Sequence, residues 1–188
     1  VFNYSAQSGG ISTSTVDWTR GLTRVLALAG PNNVNRIAAV NMSLGGGKYT
    51  SEAACDGDNG PRKAAIDRLV AANIAVVISA GNESNTDGIG SPACISSAIA
   101  VGSTTKSDGT SSFSNSHAMV DILAPGSDIV SSVPGDGWGT MSGTSMAAPH
   151  VTGAFALLRS AKPDATVAEI LQTLQATGKP ITDNRNGV

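Results

Sequence analysis

The run Ile74-Ala75-Val76-Val77-Ile78 places five apolar residues in succession. A strand with no polar alternation has no face to give to water, so it must be covered on both sides. Strands of that kind belong to parallel sheets flanked by helices. Residues 36–42 form a second apolar run, and 98–101 and 120–123 form two shorter ones. Helical patterns lie between and around them. In 15–29, Val16, Leu22, Val25, Leu26 and Ala29 recur close to a helical period, and Gly30-Pro31 stops it. In 61–72, Pro61 opens a pattern with Ala65, Ile66, Leu69 and Val70 on one face. In 166–177, Val167, Ile170, Leu171 and Leu174 make one stripe. Residues 146–160 are small and apolar on nearly every side, which predicts a helix buried all round. The expectation is an α/β fold of three layers, a mainly parallel sheet with helices on both faces.

The 188 residues suit one domain, and a hydrophobic share of 40% is enough to build its core. Charged residues make up 14%, and the net charge of −2 gives no reason to expect nucleic acid or an anionic membrane as partner. No apolar stretch reaches the roughly 20 residues that span a bilayer. Two cysteines, Cys55 and Cys94, lack the spacing of a zinc site. They read as two free thiols or as one disulfide in an exported protein.

In parallel sheets, functional groups gather at the carboxyl ends of strands. Three loops meet that rule: Ser43-Leu44-Gly45-Gly46, Gly81-Asn82 and Ala124-Pro125-Gly126. The string Ser142-Gly143-Thr144-Ser145-Met146-Ala147-Ala148-Pro149-His150 is the most informative. Glycine permits a sharp turn, and Ser145 then opens a long helix of small residues. The unpaired N–H groups and positive dipole end there favour a negative charge developing on an attacked carbonyl. A lone serine in that place is most often a plain helix cap.

The nine-residue string resembles the nucleophile signature of the subtilisin-like serine peptidases, the subtilase family. Asn41-Met42-Ser43-Leu44-Gly45-Gly46, Ser79-Ala80-Gly81-Asn82, Phe113-Ser114-Asn115 and Asp121-Ile122-Leu123-Ala124-Pro125-Gly126 match further family segments in order. The likeness is to secreted bacterial and proteinase K-like members. It implies Ser145 as nucleophile, with the Asn82 amide and the Ser145 N–H holding the oxyanion. It implies that Ser43, Leu44 and Gly45 pair with an extended polypeptide substrate. Ser79, Ala80 and Gly81 would wall the specificity pocket, and Ser8-Gly9-Gly10 would form the opposite edge of the cleft. It also implies a structural Ca2+ held by the Asp121 carboxylate with the carbonyls of Ser96 and Ala98. The plainer reading of Asp121 is a strand-end turn or salt-bridge residue. A bridge between Cys55 and Cys94 would brace the pocket.

The family's catalytic Asp and His precede the Ser43 block, and no matching string occurs here. His150 lies five residues beyond Ser145, so its ring points away on the helix; His117 falls in a loop without a family role. The expectation is therefore a partial catalytic domain over 1–188, lacking the amino-terminal strands and the last carboxyl-terminal segment, secreted, and inactive by itself. The strand near 37–43 would become an exposed edge, seeking the missing portion or a second copy. Two other readings remain: a module that grips peptide without cutting it, and a structural remnant with no function.

Overall fold

The computed structural model of the chain describes residues 5–7, 10–12 and 14–188. Strands β1 (Ser5–Gln7) and β2 (Gly10–Ser12) pair antiparallel. Helix α1 (Thr15–Ala29) starts at Ser14, whose side chain accepts the Asp17 N–H. A 3-10 turn (Pro31–Asn33) leads to β3 (Ala39–Met42) and β4 (Gly46–Tyr49). Helices α2 (Glu52–Asp58) and α3 (Gly60–Ala71) follow, then β5 (Ala75–Ser79), β6 (Ile89–Ser91), β7 (Ile99–Thr104) and β8 (Ile122–Pro125). A hairpin of β9 (Ile129–Val133) and β10 (Gly137–Met141) precedes the long α4 (Thr144–Ala161) and α5 (Val167–Thr177).

The main sheet has four parallel strands in the order β3-β5-β7-β8. All residues of β5 and β7 are buried, as the unbroken apolar run predicts. The pleat divides β5 between two cores. Val76 and Ile78 point into a cluster with Leu22 of α1 and Ile66 and Leu69 of α3. Ala75 and Val77 point into the other, with Val151 and Phe155 of α4 and Ile170 of α5. The three expected layers are therefore present, with the sheet in the middle. Burying a side chain such as Phe155 is worth about 1.5–3 kcal/mol.

The elements differ from the sequence reading in three places. Helix α4 is not buried all round: Pro149, His150, Gly153, Ala156 and Leu157 are exposed, Leu157 to 74%. Its opposite face packs on the sheet, and no described residue covers this stripe. Pro125, expected in a loop, ends β8 on an edge of the sheet, where a residue without an N–H is tolerated. Helix α2, the antiparallel β4–β6 pair and the β9–β10 hairpin carry little periodicity and were not legible. No helix among the described residues is long and apolar enough to cross a membrane.

Candidate active site

Ser145 is the second residue of α4, whose first turn is reached through Gly143. The approach is set by a close crossing of two loops. Gly143 N donates to Gly126 O at 2.8 Å. A Cβ on Gly126 would overlap the Ser103 hydroxyl and lie 2.7 Å from Gly143 O, so only glycine fits there. Ser145 is half-buried. Its N–H and hydroxyl donate to no described residue, as expected at a helix start.

Asn82 follows the carboxyl end of β5 and is exposed. Its Oδ1 accepts from Thr144 N at 2.8 Å and from Thr144 Oγ1 at 2.9 Å. Thr144 Oγ1 in turn accepts from Gly81 N at 3.2 Å. With the carbonyl side of the amide engaged, the NH2 side has no hydrogen-bond partner among the described residues. A Cβ on Gly143 would stand 3.6 Å from Asn82 Nδ2, so the amide lies against the turn that delivers Ser145.

Asn115, fully buried, holds this loop from behind. Its Nδ2 donates to Ala80 O and to Glu83 Oε2, at 3.0 and 2.7 Å, and its Oδ1 accepts from Glu83 N and Asn85 N. Gly81 has φ +109°, and a Cβ there would strike the Asn115 amide. Arg185 extends the scaffold by donating to Ser112 O and Ser114 O while paired with Asp183. That pairing holds the Asp183 carboxyl down at about 2. The sequence marked Asn115 only as part of a matching block, and it did not mark Thr144 as a partner of Asn82.

Ser43, Leu44 and Gly45 follow β3 at the same end of the sheet. Ser43 Oγ donates to Ser145 O at 2.7 Å. No backbone N–H or C=O of these three residues is hydrogen-bonded among the described residues, so they present an open edge. Ser79, Ala80 and Gly81 are the opposite case. Ala80 N donates to Val101 O, Ala80 O accepts from Gly90 N, and Gly81 O accepts from Asn115 N. That segment can form a wall but has little backbone left to pair. Ser8 and Gly9 lie outside the described residues, and Gly10 opens β2.

Cys55 of α2 and Cys94, in the turn after β6, are joined by a disulfide with Cα atoms 5.9 Å apart. Asn59 reinforces the junction: it donates to Cys55 O and accepts from Ser91 Oγ at 2.9 Å. Asp121 precedes β8, and its Oδ2 accepts from Ala100 N at 2.7 Å. Burial pushes its carboxyl up to about 6, the bond from Ala100 opposing and the charge of Glu52 adding. Ser96 is bound through its N–H and hydroxyl to Asp56. The carbonyls of Ser96 and Ala98 accept from no described residue.

Neither histidine is bonded to Ser145. His150 Nδ1 lies 2.8 Å from Met146 O, and His117 Nδ1 accepts from Met119 N at 3.3 Å. A groove of about 870 Å3, lined by Arg36, Ala38, Asn73, Arg159 and Pro163, opens at the other end of the sheet, beside the start of β3.

A family model described as the Subtilase family matches residues 4–188. Subtilisin E of Bacillus subtilis (strain 168) is 40% identical over 146 residues, covering 76% of this chain and 36% of the relative. Subtilisin-like protease 3 of Trichophyton equinum is 37% identical over 177 residues, 94% of this chain and 42% of the relative. The chain thus spans well under half the length of these relatives. A crystal structure of a cold adapted subtilisin-like serine proteinase superposes with a TM-score of 0.79 at 32% identity, over 96% of this chain and 62% of that one.

Proposed function

Since this chain belongs to the subtilase family, we propose that residues 1–188 are part of the catalytic domain of a serine endopeptidase and carry its nucleophile, Ser145. The observation that carries the reading is the pinned amide of Asn82, whose NH2 is left free beside the Ser145 turn. The Ser145 Oγ attacks a peptide carbonyl carbon, and the carbonyl π pair moves onto oxygen. Asn82 Nδ2 and Ser145 N–H donate to that oxygen, and the positive end of α4 adds to the field. Both donors are held in place before the substrate arrives.

The substrate lies extended, pairing with the open backbone of Ser43, Leu44 and Gly45 as an added strand. Ser79, Ala80 and Gly81 wall the pocket for its side chain. His117 and His150 lie against Met119 N and Met146 O rather than against Ser145, so neither serves as its base. Residues 1–188 alone then retain only oxyanion stabilisation and binding. In subtilisin itself, from which the figure is taken, that remainder is about 10³–10⁴ over water.

Asp121 and the carbonyls of Ser96 and Ala98 would hold a structural Ca2+. A largely desolvated carboxylate without an ion pair among the described residues, and two carbonyls free of donors, are hard oxygen donors of the kind that suits such a cation. The cation would brace the turn before β7 against the start of β8. The disulfide suits an exported protein. The open edge of β3 and the uncovered stripe of α4 would receive further polypeptide of the same protein or a second copy.

A fluorophosphonate probe tests the assignment in the full-length protein. Labelling at Ser145 is expected, absent in Ser145→Ala and slowed by about 10²–10³ in Asn82→Leu, the scale known for subtilisin's own oxyanion asparagine. Labelling at another residue, or none, defeats the peptidase reading. The open backbone of Ser43, Leu44 and Gly45 also favours a second reading, a cleft that binds peptide without cutting it. Measurable peptide binding with no labelling would select that one.

A further inference from the structure

The first turns of α4 are short of a backbone donor. Pro149 lies inside the helix, four residues after Ser145, and has no N–H to offer the Ser145 carbonyl. The Ser43 hydroxyl donates to that carbonyl instead, at 2.7 Å. A hydroxyl has one proton, so Ser43 Oγ is left as an acceptor. Asn41 Nδ2 fills that place at 3.0 Å. The orientation of the Asn41 amide follows, and its Oδ1 accepts from Thr152 Oγ1 at 3.3 Å. Thr152 shares its single proton with Ala148 O at 3.0 Å, which makes this last step the weakest. The path runs from α4 to β3, through the loop after β3, and back to the first turn of α4.

We propose that Ser43, oriented by Asn41, is a positioning residue for Ser145: its hydroxyl replaces the donor that Pro149 removes. The inference rests on the reading of Ser145 as the nucleophile. It supplies the link that keeps the peptide-binding edge and the attacking helix in register. A peptide that pairs with Ser43, Leu44 and Gly45 orders the same loop whose hydroxyl holds the Ser145 carbonyl. Substrate binding and nucleophile placement are therefore coupled through one hydrogen bond.

A double-mutant cycle in the full-length protein tests this, combining Ser43→Ala with Pro149→Ala. Its readouts are kcat, KM, the rate of fluorophosphonate labelling, and denaturant unfolding of each variant. Ser43→Ala is expected to lower kcat and labelling about tenfold while KM moves less than about twofold, the pattern of lost positioning. Ser43→Thr keeps the hydroxyl and is expected to retain most of the rate. In Pro149→Ala the residue at 149 regains an N–H that can reach the Ser145 carbonyl. Removing the Ser43 hydroxyl should then cost less than about threefold. Equal losses in the two backgrounds overturn the proposal, as does a loss confined to KM. Should Pro149→Ala fail to fold, the contrast between Ser43→Ala and Ser43→Thr decides, and equal losses in that pair overturn it. Should the parent protein not label at all, the peptidase reading fails and unfolding still decides the relay. A smaller destabilisation by Ser43→Ala beside Pro149→Ala supports it, and the same destabilisation in both backgrounds overturns it.

Discussion

In the proposed reaction Asn82 carries no charge and moves no proton; what matters is the direction its amide faces. That direction depends on Thr144, which gives two donors to one oxygen. Thr144→Val keeps the shape and the backbone donor but removes the hydroxyl. It also leaves Gly81 N unpaired, a loss worth about 1–3 kcal/mol when the group is shielded from water. The expected result is lower stability in denaturant and a fall in kcat of about tenfold with little change in KM, because a loosened amide is a poorer oxyanion donor. Unchanged kcat would show that the backbone donor alone orients Asn82. Asp121 belongs to the same scale. Added Ca2+ is expected to raise Tm and a chelator to lower it, with Asp121→Asn insensitive to both; a calcium response that survives in Asp121→Asn places the cation elsewhere. Ser145 and Asn82 could be proposed from sequence because both occur within contiguous strings that resemble family segments. Thr144 and Asn115 were not legible as partners, because their contacts join segments far apart in the chain; Asn41 reaches Ser43 two residues on, but what makes that bond matter is the tie from Ser43 to Ser145.

Among the elements, α4 does two tasks: its buried face with Phe155 anchors the sheet, and its first turn presents Ser145. The sequence foretold its small apolar residues but not that one stripe would stand open, since composition does not say which neighbours are at hand. Helix α2 escaped notice for another reason. It spans only seven residues, started by the Ser51 side chain accepting Ala54 N, which is too short for periodicity. Its function is best read from Cys55, which ties it to the turn beyond β6 across 39 positions of sequence. Closing a loop of that length constrains the unfolded chain by about 4 kcal/mol on the chain-entropy model. Replacing Cys55 and Cys94 with serine together should lower unfolding stability by up to that amount. It should also raise KM more than it lowers kcat, because the bridge braces β6 and the pocket wall rather than Ser145. An unchanged KM would remove the bridge from the binding site.

At the scale of the molecule, the sheet is covered on both faces and, among the described residues, ends in two edge strands, β3 and β8. β3 ends the strand order, and beside it α4 exposes Leu157 to 74%. An edge of parallel strand next to an apolar stripe invites association. Residues 1–188 expressed alone are expected to sediment above the 18.8 kDa of one chain. Leu157→Glu should shift them toward that mass, since it places a charge on the stripe without touching either core. A monodisperse species of one chain at every concentration would mean that neither β3 nor α4 drives association.

The residue order alone determined the layers and the family to which the chain belongs. An unbroken apolar strand must be buried on both faces, and the string around Ser145 resembles a family nucleophile signature, from which the proposed chemistry is drawn. Which groups steady that serine was decided only in three dimensions. A proline that deprives its carbonyl of a donor is visible in the sequence, but the hydroxyl that replaces the donor comes from 102 positions away. Only parallel packing of β3 beside β5, with α4 laid across them, brings the two together.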